Sequence, residues 1–168
     1  MSLPTVAVIG AGPAGLVTAR WLLAHGFAPV LFEAGPGIGG LWRDGDEGGI
    51  WPGMSANTSR VLTAFSHLEH PAGTPIFPAT PAVAAYLARY AAQFGLTEAS
   101  GRLRLRTRVE TVRRDGTGWR LTVRTDDDTA RTERVDRVVV AAGRFRTPRL
   151  PSLPGVGTFV GAGGALSH

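Results

Sequence analysis

The chain has 168 residues, 43% of them hydrophobic and 18% charged, a composition that excludes a disordered or fibrous protein and fits one globular domain. Its formal charge is +5, every one of its 18 basic residues is arginine, and the absence of cysteine excludes disulfides, thiolate metal sites, cysteine nucleophiles and a redox dithiol. The longest apolar runs, such as Val138 to Ala142, are too short for a bilayer, and Met1-Ser2-Leu3-Pro4 lacks the basic start of a secretion signal, so a cytoplasmic protein with no membrane partner is expected.

Thr5 to Ile9 is a continuous apolar run closed by Gly10, as in a buried parallel strand. Pro13 to His25 reads as a helix. Proline is tolerated in a first turn, Leu16, Ala19, Leu22 and Leu23 give the 3.6-residue stripe, and Gly26 stops it. Pro29 to Phe32 is a second strand, completing a βαβ unit. Residues 34–78 are rich in Gly, Pro, Ser and Asp and have no strong period, the mark of a long functional loop. Thr80 to Phe94 is helical, with Thr80 as N-cap, Pro81 at the first helical position and Gly95 at the end.

From Leu103 onward apolar and polar residues alternate. Turn signals at Asp115-Gly116 and Asp126-Asp127-Asp128 divide this stretch into three antiparallel strands, at about 103–113, 118–124 and 130–134. Arg102, Arg104, Arg106 and Arg108 alternate along the first. They read as a solvated sheet face, since no aromatic residues interleave with them to stack on bases, and no nucleic-acid partner is expected. Arg137 to Gly143 is a buried parallel strand, Arg144 to Pro154 a proline-punctuated connector, and Gly155 to Gly164 glycine-rich. His25, His67, His70 and His168 match no metal-ligand spacing, and Asp44, Asp46 and Glu47 read as a solvated loop.

Gly10-Ala11-Gly12-Pro13-Ala14-Gly15 fits G-x-G-x-x-G between a strand and a helix, and Glu33, 18 residues past Gly15, closes the next strand. Gly10 permits the tight turn, Gly12 lets a pyrophosphate approach the backbone, and Gly15 lets the helix pack against the sheet. Unpaired N–H groups and the partial positive charge at the helix start face the phosphates. Glu33 suits an adenosine ribose and would repel a 2′-phosphate, which favours FAD or NAD over NADP. The fold class is α/β, a Rossmann-like dinucleotide domain with a parallel sheet and an antiparallel meander as crossover.

Those motifs, with Gly39-Gly40-Leu41-Trp42, Asn57-Thr58-Ser59, Phe77-Pro78, the Tyr86 to Leu96 helix, Val138 to Gly143 and Arg146 to Pro151, resemble the N-terminal part of flavin-containing monooxygenases and their Baeyer–Villiger relatives. Two departures stand out. Ala141-Ala142-Gly143 replaces the family's A-T-G strand end. The F-x-G-x-x-x-H fingerprint begins at Phe159 and Gly161 but meets Ala165, with His168 arriving three residues late.

The resemblance implies that Gly10, Gly12, Pro13, Ala14 and Gly15 hold the FAD pyrophosphate and Glu33 the adenosine ribose. Leu41, Trp42 and Thr58 would lie along the flavin, and Val109 would offer backbone contacts to adenine. Ala142 and Gly143 would bring backbone close to FAD. Asn57, at the flavin's reactive edge, is the one catalytic candidate. The competing readings are core or loop packing for Trp42 and a turn residue for Asn57. The implied activity is NADPH-dependent oxygenation of a soft nitrogen or sulfur nucleophile on a small-molecule substrate, with oxygenation of ketones or a non-catalytic flavin-binding fragment as alternatives. A thioredoxin-reductase-like disulfide reductase is disfavoured by the lack of cysteine. Residues 1–154 would be the FAD-binding portion and 155–168 the start of a linker towards an NADPH-binding domain. A second G-x-G-x-x-G is lacking, so a truncated product, an excerpt or a degenerate gene is expected, one that binds FAD weakly and oxidises no NADPH. A homo-oligomer is left open.

Overall fold

The computed structural model describes residues 2–43, 50–51, 53–144 and 151–164. The acidic residues Asp44, Asp46 and Glu47, residues 145–150 of the connector, and Ala165 and His168 of the oxygenase fingerprint lie outside the described residues. In chain order the elements are β1 (Thr5–Ile9), α1 (Pro13–Ala24), β2 (Ala28–Phe32), a 3₁₀ turn (Gly40–Trp42), α2 (Arg60–Thr63), α3 (Thr80–Gln93), β3 (Leu103–Arg104), β4 (Thr107–Asp115), β5 (Gly118–Thr125), β6 (Ala130–Val135), β7 (Arg137–Val140) and α4 (Val156–Gly161).

A parallel sheet runs in the order β3-β2-β1-β7, and β4-β5-β6 form an antiparallel meander that carries the chain across to β7. The strand alternation sorts β1 onto two cores. Val6 and Val8, with Leu31 of β2, face α1 and α3, where Leu16, Ala19, Val83, Tyr86, Leu87 and Tyr90 complete a fully buried layer. Ala7 and Phe32 face the other way, against Leu121 and Val123 of the meander. The result is three layers: helices, parallel sheet, meander. Truncating a side chain such as Leu16, which is fully buried, to alanine costs about 2–5 kcal/mol.

The long excursion 51–79 is tied to α3 by polar groups. The Tyr86 hydroxyl accepts from the Phe65 N–H at 2.7 Å and donates to the Leu68 carbonyl at 2.8 Å. His70 stacks on the Tyr86 ring at 4.1 Å and its Nε2 lies 3.3 Å from the Thr63 hydroxyl.

Four expectations change. First, the segment 103–113 is not one meander strand. Leu103 and Arg104 pair in parallel with Leu31 and Phe32 at the sheet edge, and β4 starts afresh at Thr107. Arg106 turns the chain between them with φ 47°, a conformation no glycine or proline announced. Second, that turn breaks the expected arginine face. Arg104 pairs with Glu133 and Arg106 with Asp126, at different places on the meander. Third, Thr80 does not cap α3. Ala79 is the N-cap, and Thr80 opens the helix with its N–H and hydroxyl both donating to the Met54 carbonyl, at 3.1 and 3.0 Å. Fourth, β7 is an edge rather than a buried strand, with Val140 72% exposed. Among the described residues no helix is long and apolar enough to cross a membrane, and no group of three His, Asp or Glu residues could hold a metal ion.

Candidate dinucleotide-binding site

Between β1 and β7 the order of the sheet reverses: the chain runs from β1 outward to β2 and β3, and then returns to β7 on the far side of β1. Open α/β sheets form a crevice beyond the carboxyl ends of their strands at such a switch point. Here a cleft of about 450 Å³ opens at that position, bounded by the ends of β1, β2 and β7 and the start of β4. A second hollow of about 410 Å³ lies on the outer face of α1 around Trp21 and His25, and no residue of the glycine-rich turn lines it.

The glycines of the turn serve different ends. Gly10 has φ 102°, and a β-carbon on it would stand 2.5 Å from the Ala141 carbonyl oxygen at the end of β7. On Gly15 a β-carbon would fall 2.0 Å from the Gly10 carbonyl oxygen. Both must therefore be glycine for the strand, turn and helix to close. Gly12 differs. Its β-carbon would meet nothing nearer than the Gly40 Cα, at 3.5 Å, an ordinary contact. A side chain at Gly12 would therefore be tolerated by the fold itself, in ordinary contact with the Gly39-Gly40 turn.

Gly12 is the N-cap of α1, and among the described residues no side chain caps that first turn. The helix therefore presents its unpaired N–H groups and partial positive charge beside Gly12, Pro13 and Ala14, which line the cleft. An adenosine diphosphate fits this arrangement: an uncapped helix start for phosphate, a bare Gly12 backbone on the cleft wall, and a carboxylate at the end of β2.

Glu33 is that carboxylate, and it also builds the site. Its Oε2 accepts from the Ala11 N–H and its Oε1 from the Gly35 N–H, each at 2.8 Å. The Ala11 carbonyl in turn accepts from the Gly39 N–H at 2.9 Å. The glycine-rich turn, the loop after β2 and the Gly39-Gly40 turn are thus fastened together through one residue, Ala11. The start of β4 is fastened to the same loop, with Thr107 N–H donating to the Glu33 carbonyl at 2.8 Å and Arg106 N–H to the Gly35 carbonyl at 3.0 Å.

Of the expected site residues, Gly10, Gly12, Pro13, Ala14, Glu33, Leu41, Val109, Ala142 and Gly143 all line this one cleft. Gly15 stands behind it, buried against the turn. Trp42 packs against the helix-side core instead. Asn57 and Thr58 are exposed in the bend before Ser59, which caps α2 by accepting from the Leu62 N–H at 3.4 Å, and they are not among the residues lining the cleft.

The cleft is also lined by three arginines that carried no motif: Arg43, Arg108 and Arg144. Arg43 arches over Gly35, where a β-carbon would stand 1.8 Å from its Nη1. The excess of glycine after β2 is the one sequence trace of that packing. Cations on the wall of a dinucleotide cleft suit an anionic ligand.

Residues 4–164 match the family described as FMO-like, flavin-binding monooxygenase-like. The senecionine N-oxygenase of Tyria jacobaeae is 36% identical over 166 residues, covering 92% of this chain and 36% of that protein. Among solved structures, the S-allyl-L-cysteine S-oxygenase from Allium sativum superposes with a TM-score of 0.83 at 29% identity, over 94% of this chain and 40% of that one. A steroid monooxygenase bound to NADP superposes with a TM-score of 0.70 at 28% identity, over 94% and 29% respectively. The chain therefore spans well under half the length of the proteins it matches.

Proposed function

The chain belongs to the flavin-binding monooxygenase-like family, and from that premise we propose that it is the FAD-holding segment of an NADPH-dependent monooxygenase that oxygenates a soft nitrogen or sulfur nucleophile. The observation that carries the FAD reading is the uncapped start of α1 over the bare Gly12 backbone, with the Glu33 carboxylate across the same cleft. In this reading Gly12, Pro13 and Ala14 hold the diphosphate. Glu33 accepts from the adenosine ribose, since each carboxylate oxygen that takes one backbone N–H still has a second lone pair.

Val109 offers backbone contacts to the adenine, and Ala142 and Gly143 bring backbone close to the dinucleotide from the end of β7. Leu41 covers the flavin-ward side, and Trp42 anchors the Gly39-Gly40 turn to the core from behind. Asn57 and Thr58 would meet the flavin edge, with Asn57 supplying a hydrogen bond at the reacting end. Bound in this way, FAD supplies the redox chemistry that takes electrons from NADPH and delivers one atom of O₂ to the substrate. Residues 1–154 form the FAD-binding body, and a linker begins at 155. The N-oxygenase and S-oxygenase names of two relatives support the nitrogen or sulfur preference over ketone oxygenation.

The test is an absorbance spectrum of the purified chain, with any released cofactor identified by mass, followed by titration with FAD. Flavin bands, or saturable uptake of added FAD, are expected. A colourless chain that takes up no FAD would overturn the reading.

A further inference from the structure

We infer that Arg108 is the residue that selects the adenine end of the dinucleotide, by laying its guanidinium against the face of the base. The inference rests on the reading of the cleft as an FAD site and adds to it a residue that no motif marks. If Glu33 holds the ribose, the base must lie beyond it, towards the start of β4. That start is fixed to the Glu33 loop by the Thr107 and Arg106 N–H groups. Arg108 follows directly and lines the cleft, which on the loop side is lined by the small residues Ala34 and Gly35. A flat ligand there would have Ala34 on one side, with Arg43 arching over the adjoining Gly35, and Arg108 on the other.

The charge of Arg108 is uncommitted. Its cross-strand neighbour is Arg124, which draws the nearby acids to itself: Glu110 at 2.6 Å and Asp128 at 2.7 Å. Among the described residues no carboxylate pairs with Arg108, whereas Arg104, Arg106, Arg120 and Arg134 of the same region all have one. Held between its neighbour's charge and the cleft, a planar guanidinium is suited to stacking on an aromatic ring. Arginine stacks on bases without needing their hydrogen-bonding edges.

The experiment measures the affinity of the folded chain for FAD, for ADP and for FMN, with Arg108→Ala and Arg108→Lys beside the parent, at low and at high salt. Circular dichroism checks that the variants fold; Arg108 is exposed, so both should. The proposal expects Arg108→Ala to weaken FAD and ADP alike by about tenfold, which is about 1.4 kcal/mol, and to leave FMN unchanged. Lysine should not restore the loss, because it lacks the flat fork, and the loss should persist at high salt. Unchanged ADP affinity in Arg108→Ala overturns the proposal while leaving the cleft reading intact. So does a loss that lysine restores and salt abolishes, which would make Arg108 a diffuse charge. If the parent binds neither FAD nor ADP, the cleft reading falls and takes this one with it.

Discussion

Gly12 and Gly15 look equivalent in the motif, but the structure sets them in different surroundings, and alanine at each position separates the two. On Gly15 the added β-carbon would lie 2.0 Å from the Gly10 carbonyl oxygen, and β-carbon contacts below 3.0 Å do not occur in practice. The start of α1 must then move by about 1 Å away from the end of β1, a backbone displacement in a packed layer rather than a side-chain swing. Overpacking of that kind costs about 3 kcal/mol. In a domain of this size that lowers the melting temperature by about 6–12 °C. At Gly12 the β-carbon has 3.5 Å of clearance and the backbone sits at φ −73°, where alanine is unstrained. Alanine is a poorer N-cap than glycine, so Gly12→Ala should cost no more than about 1 kcal/mol, or about 2–4 °C. In the proposed reading the new methyl instead crowds the backbone that the diphosphate approaches, and a clash of about 1–3 kcal/mol weakens FAD binding by about 5- to 150-fold. Thermal unfolding followed by circular dichroism, with FAD titration of each variant, reads both effects. The reasoning fails if Gly15→Ala melts with the parent, or if Gly12→Ala binds FAD as the parent does.

Glu33→Gln keeps one carbonyl acceptor but turns an amide NH₂ towards a backbone N–H, either that of Ala11 or that of Gly35. An unsatisfied donor there should destabilise the chain by about 1–3 kcal/mol, and hydrogen exchange of those two amides should quicken; unchanged protection would mean the carboxylate is not the clasp. His70 is held below its usual value by burial first, then by Arg89 and Arg60, so on acidification the unfolded chain takes up a proton near pH 6.5 before the folded chain does. Stability should therefore fall as pH drops through 6.5, and His70→Phe should flatten that slope in urea melts at pH 7.5 and 5.5; an identical slope in the variant would exclude His70 as its source. Asp136 is held below 3.8 by the backbone N–H and hydroxyl of Thr5, which donate to its Oδ2 at 2.7 and 2.8 Å. A depressed carboxylate stabilises above its unfolded value and loses that contribution as pH falls through its folded one. Acid unfolding below pH 4 should thus be shallower in Asp136→Asn, and a curve that matches the parent's would refute the contact's role.

The parts legible in the sequence are those where local spacing and ligand demand coincide. The first βαβ unit, its glycines and Glu33 follow from rules that act within about thirty residues. The meander turn at Asp115-Gly116 was announced by its own residues. What escaped was decided by contacts distant in sequence. Leu103, Leu105, Thr107 and Val109 keep an unbroken alternation, so nothing local reveals that the first two residues of that stretch join β2 and the rest the meander. The break falls on Arg106, an ordinary residue held at positive φ by its bond to the Gly35 carbonyl. Thr80 has the right type for a cap, yet the Met54 carbonyl claims its hydroxyl from 26 residues away. Val138-Val139-Val140 has the composition of a strand covered on both faces, and only the order of the sheet puts it on an edge. Trp42 and Asn57 carry motif identity, but a motif does not say which way a side chain faces.

Glu33 joins the legible and illegible halves of the site. By its place in the motif we propose it as a ribose acceptor; by its hydrogen bonds it is the clasp of the cradle. The two roles reinforce each other. Association costs free energy whenever loops must be ordered as the ligand arrives. Here the glycine-rich turn, the loop after β2 and, through Ala11, the Gly39-Gly40 turn are fastened beforehand by one carboxylate. A carboxylate is the side chain suited to this, because it is acceptor-only and can take a backbone N–H on each oxygen while keeping lone pairs for a ribose. A neutral amide could accept on one side only. The acid at the end of β2 is thus required by the protein's own loops and, in the proposed reading, by the dinucleotide as well.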